Sequence, residues 1–74
     1  MKKFLTAAEE FTAEQIKKEY GAMLTIRDVM AFFGFSRSSA ERYLSGVDAI
    51  KVNGKKRYMA TDLARKIEAG RERA

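Results

Sequence analysis

Two short stretches hold the side chains best suited to chemistry. One is Ser36-Arg37-Ser38-Ser39 with Arg42, and the other is Lys51 with Lys55-Lys56-Arg57. The chain has no cysteine and no histidine, which removes thiol nucleophiles, imidazole bases and the usual zinc ligands. The neighbouring carboxylates, Glu9-Glu10 and Glu14 with Glu19, fall on amphipathic segments where a solvated face is the default. An enzyme is therefore not expected, and neither a cofactor nor a small-molecule ligand is implied. What remains is ion pairing and hydrogen bonding to a polyanion.

The charge distribution points the same way. Residues 1–34 balance five basic against five acidic side chains, whereas residues 35–74 carry ten against five, the whole net charge of +5. A basic half suggests a polyanionic partner, most often nucleic acid. An arginine among serines is also an odd way to begin a helix. Serine is a mediocre helix former, and a cation in the first turn meets the positive end of the helix dipole. Beside a phosphate backbone the same residues fit: the helix N-terminus gains an anion, arginine reaches phosphates or guanine edges, and short serines allow close approach. The bland alternative is an Arg37–Glu41 surface pair, worth only about 0.2–0.5 kcal/mol. For the second stretch the alternative is a sheet edge guarded by lysines.

The elements that must position these residues can be read from caps and breakers. Every threonine (Thr6, Thr12, Thr25, Thr61) stands just ahead of a plausible helix. Thr12 with Gln15 makes a capping box, and Phe11 can staple onto Ile16, predicting a helix over 13–20 that ends at Gly21. Thr6 with Glu9 is a second box, so residues 7–11 form either a short helix or a helical lead-in. Leu24-Thr25 repeats the pattern before a helix over 26–33, stopped by Gly34. Ser36 then opens a helix over 37–45 held to the core by Ala40, Tyr43 and Leu44.

Asn53-Gly54, flanked by Ile50-Lys51-Val52 and Lys56-Arg57-Tyr58-Met59, is a strong hairpin signal. Its register stays open: the dipeptide favours Ile50 opposite Arg57, and the apolar pattern favours Ile50 opposite Tyr58. Ile50, Val52 and Tyr58 are expected to carry the hairpin's apolar contacts. Thr61 caps a last helix over 62–69, stopped by Gly70, and residues 71–74 are expected to fray.

At 74 residues the chain is read as one domain. It is mainly α with a small β-hairpin: an N-terminal helical extension (1–23), a helix-turn-helix (24–45), a wing (49–59) and a C-terminal helix (61–70). That is the outline of a winged helix-turn-helix with an additional N-terminal helix. No apolar run reaches membrane-span length, and Glu9-Glu10 interrupt any export signal after Met1-Lys2-Lys3-Phe4-Leu5, so a cytoplasmic location is expected.

Residues 24–67 also resemble the small MerR-like winged helix-turn-helix family of phage and plasmid excisionases and AlpA-type regulators. The likeness rests on LTIRDV, GFSRS, the basic hairpin KVNGKKRYM and TDL, in that order. It implies double-stranded DNA binding in transcription regulation or DNA recombination, of prophage or mobile-element origin. Ser36, Arg37, Ser38, Ser39 and Arg42 would stand on the recognition helix, and Lys55, Lys56 and Arg57 on the wing. An integrase, or further copies of the chain assembling cooperatively on DNA, are the implied partners. Met30 departs from the family's small residue, and Phe32 would face outward unless residues 1–23, which have no counterpart in the motif, cover it. The long dimerisation helix of full MerR regulators is not matched, so a metal- or drug-sensing regulator is not expected. Two other functions remain open: the DNA-recognition domain of a phage packaging or replication protein, and a protein-interaction module exposing Phe4, Phe11, Tyr20, Phe32 and Phe35.

Overall fold

The computed structural model describes residues 4–71. Four helices surround a small antiparallel sheet, in the order α1 (Ala7–Tyr20), β1 (Met23–Leu24), α2 (Ile26–Phe33), α3 (Arg37–Leu44), β2 (Ile50–Val52), β3 (Lys55–Met59) and α4 (Ala60–Ala69). The expected class, mainly helical with a small hairpin, holds. Met1-Lys2-Lys3 and residues 72–74, including most of the tail expected to fray, lie outside the described residues.

The N-terminal segment differs from the sequence expectation. It is one helix begun by Thr6, whose hydroxyl accepts from the Glu9 backbone N–H while the Glu9 carboxylate accepts from the Thr6 N–H. With no glycine or proline between residues 7 and 20, nothing stops that helix before Thr12. Thr12 is therefore interior rather than a cap, and the Phe11–Ile16 staple does not form: Phe11 is exposed and Ile16 is fully buried. The Thr12 hydroxyl instead donates to Glu68 on α4 at 2.7 Å. Glu68, its side chain only 7% exposed, also accepts from Arg71 Nη2 at 2.6 Å and Nε at 2.8 Å. Glu68→Ala removes the shared acceptor, so it should cost about 2 kcal/mol in urea unfolding. An unchanged midpoint would show that the α1–α4 link is only decorative.

Thr25 caps α2 as expected, with Asp28 closing the box. The helix ends where Gly34 takes a left-handed conformation (φ 73°) that most residues resist. Thr61 does not cap α4, which begins one residue earlier and has no side-chain cap. Strand β3 runs directly into α4, and the Ala60 N–H already donates to the Ala22 carbonyl at 2.9 Å. A free donor is thus satisfied without a hydroxyl.

The hairpin turns on Asn53 and Gly54 alone, both with positive φ (53° and 77°), the pairing a two-residue primed turn requires. The register follows: Ile50 opposes Arg57, Lys51 opposes Lys56 and Val52 opposes Lys55. The apolar pattern misleads because no core selects it. Ile50 and Val52 are exposed, and of the three expected contact residues only Tyr58 is buried. A third strand, β1, was not expected; it pairs Met23 with Met59 and Leu24 with Tyr58, giving the order β1-β3-β2.

Ile16, Leu24, Val29 and Leu63 are the largest fully buried side chains, joined by Ala40, Leu44, Tyr58 and Ala60. Phe32 is covered: Tyr20 of α1 meets it edge-on, with ring centres 5.9 Å apart. Tyr20, Phe32 and Phe35 pack against the core, leaving only Phe4 and Phe11 of the five candidate aromatics exposed. Among the described residues, no helix is long and apolar enough to cross a membrane.

Candidate nucleic-acid interface

Helix α3 is capped by Ser36, whose Oγ accepts from the Ser39 N–H at 3.3 Å and donates to Ser39 Oγ at 3.2 Å. Ser36 and Ser39 thus hold the helix end together. Ala40 and Leu44 turn inward and are buried, which leaves Arg37, Ser38, Glu41 and Arg42 exposed. Helical geometry then sorts these four by angle. Ser38 and Arg42 point away from the buried stripe, whereas Arg37 and Glu41 lie on the flank facing the sheet.

Arg37 Nε donates to Glu41 Oε2 at 3.3 Å, with both side chains more than half exposed. The surface pair considered from sequence is therefore present. Its basic-to-acidic order is the weaker one and its exposure invites screening, so a phosphate can displace it at little cost.

On that flank lies a groove of about 980 Å³ between α3, the start of α2 and strand β3. Leu44, Val47, Ala49 and Tyr58 contribute its apolar lining. Arg27, Arg37, Lys55, Lys56 and Arg57 contribute five cations against one carboxylate, Glu41. Lys55 and Lys56 are exposed, and Arg57 is half-buried with Nη1 donating to the Lys56 carbonyl at 3.4 Å. The register adds to the field, because Lys51 and Lys56 sit directly opposite one another, a like-charged cross-strand pair that opposes pairing.

Sequence reasoning placed Arg37 with Lys55, Lys56 and Arg57, and these four do share one groove. Ser39 and Arg42 do not line it; they border a second groove on the other flank of α3. Ser36 and Ser38 line neither groove. Arg27 was missed, although the signal was available: it is another cation in a first helical turn, as misplaced against the dipole as Arg37. Among the described residues no cluster of three or more metal-ligating side chains occurs. Comparison with protein-family models, curated proteins and solved structures gave no match.

Proposed function

We propose that this chain is a winged helix-turn-helix protein that binds double-stranded DNA, placing α3 in the major groove and the β2–β3 wing on the flanking backbone. The observation that carries it is the convergence of five cations from three separate elements on one groove holding a single acid. A helix with its side chains is about 10–12 Å across, so the exposed side of α3 can enter a major groove about 12 Å wide. Binding needs no catalytic group, and the resemblance to excisionases and small regulators supports the same function in the cytoplasm. Arg27 joins Lys55, Lys56 and Arg57 as phosphate contacts, while Arg37, Ser38 and Arg42 face the bases.

Selection of bound sequences from random duplex DNA tests this. A recurring short motif, bound less tightly as salt rises, is expected; random recovery with salt-independent binding would overturn it. On the selected motif, Arg37→Ala should cost about 1–3 kcal/mol with little loss on random DNA. Equal losses would reduce Arg37 to a phosphate contact. Glu41→Ala removes the groove's one acid and releases Arg37, so duplex affinity near 0.1 M salt should rise roughly threefold to tenfold, as expected for one charge. Fluorescence anisotropy reads the change, and an unaltered affinity would place this flank of α3 away from DNA.

A further inference from the structure

The flank of α3 opposite the cationic groove carries a second concavity, of about 800 Å³. Phe33, Phe35, Tyr43 and Ile67 supply its apolar lining, Arg42 and Lys66 are its charges, and no carboxylate lines it. We propose that this groove docks an acidic segment of a partner protein, one that alternates large apolar side chains with carboxylates.

The ring geometry favours peptide over nucleic acid. Phe33 and Phe35 stack face to face, with centres 5.0 Å apart and planes 9° apart, and Tyr43 leans on both at 4.9 and 5.5 Å. Lys66 Nζ lies over the Tyr43 ring, 4.8 Å from its centre. The rings thus already pack on one another, and Lys66 lies over Tyr43, which leaves a base less free ring face to stack on. Apolar side chains need only ring edges and the Ile67 surface, which the groove still offers. Charge complementarity then selects acid: Arg42, exposed, and Lys66, half-buried beside the rings, have no anion in the groove itself. Carboxylates seated there gain both cations in a partly desolvated setting. The site does not depend on DNA binding, although Arg42 belongs to both surfaces, so an acidic segment seated here competes with DNA for that one side chain.

The test uses the full chain without DNA and a labelled peptide in which leucine and phenylalanine alternate with aspartate. The same peptide with lysine for aspartate is the control. Saturable binding of the aspartate peptide is expected, with NMR shifts at Phe33, Phe35, Tyr43 and Ile67 and none at Arg27 or Lys56. Lys66→Glu should weaken it at least tenfold, and Lys66→Gln, which keeps most of the stem over Tyr43, should weaken it in the same direction. Equal binding of both peptides, shifts centred on the wing, or no binding at millimolar peptide would overturn the proposal. So would a single-stranded thymidine oligonucleotide that shifts the same aromatic signals more strongly than the peptide does.

Discussion

Replacing Lys55, Lys56 and Arg57 together by alanine is expected to weaken selected and random duplexes alike, by about two to three orders of magnitude near 0.1 M salt. The figure follows from counterion release. Each phosphate contact contributes about 0.9 to the slope of log affinity against log salt, so three lost contacts flatten it by two to three units. A hairpin tip reaches backbone or the degenerate minor groove, which explains why both DNA classes should suffer equally. The hairpin itself should survive. Its shape rests on the Asn53-Gly54 turn and buried Tyr58, neither of which changes, and removing Lys56 relieves its repulsion with Lys51. Parent-like affinity and salt slope in the triple variant would leave the hairpin as a lysine-guarded edge.

Ile16→Ala is the second large effect, this time on folding. Ile16 is fully buried in the centre of α1, against a core that includes Leu24, Val29 and Leu63. Truncating such a side chain costs roughly 2–5 kcal/mol through lost transfer energy and the cavity left behind. A chain of this length has only about 4–11 kcal/mol of stability in total, so urea unfolding should show loss of about half of it. Phe11→Ala is the control: at 67% exposure it should change stability by less than about 0.5 kcal/mol. Similar losses at the two positions would restore the staple expected from the sequence and place α1's packing elsewhere. Removing residues 1–20 should likewise lower the melting temperature, because α1 covers both α4 and the edge of Phe32.

The residues that made the ends of α2 and α3 legible were local ones. Thr25 with Asp28, Gly34 and Ser36 each act within four positions of the chain, so their types alone locate the ends of α2 and α3. The errors came where two local signals competed or a distant partner decided. Thr6 and Thr12 both offered caps for α1, and only the absence of a breaker between them makes the earlier one win. Thr61 lost its role to a backbone bond from Ala60 to Ala22, 38 positions away, and β1 is too short to carry any periodicity. In the β2–β3 hairpin, turn chemistry overruled apolar pattern because Ile50 and Val52 face no core.

The candidate site divides in the same way. Arg37, Lys55, Lys56 and Arg57 belong to the half of the chain that carries the charge imbalance, and all four line the first groove. The angle between Arg37 and Arg42 around α3 is what separates two grooves, and it becomes decisive only once Ala40 and Leu44 fix which side is buried. Arg27 was legible as a cation in a first helical turn, but its entry into the first groove follows from the start of α2 packing beside the sheet, which no single segment encodes.

Titrating the chain with duplex DNA at low salt while following its backbone amide NMR signals tests the central claim most directly, since it locates the contact surface without any substitution. Shifts concentrated at Arg27, in the first turn of α3 and along Lys55-Lys56-Arg57, with α1 and the C-terminal part of α4 unmoved, are the predicted result. Shifts centred on α1, or an unchanged spectrum at saturating duplex, would contradict a DNA face built from α3 and the wing.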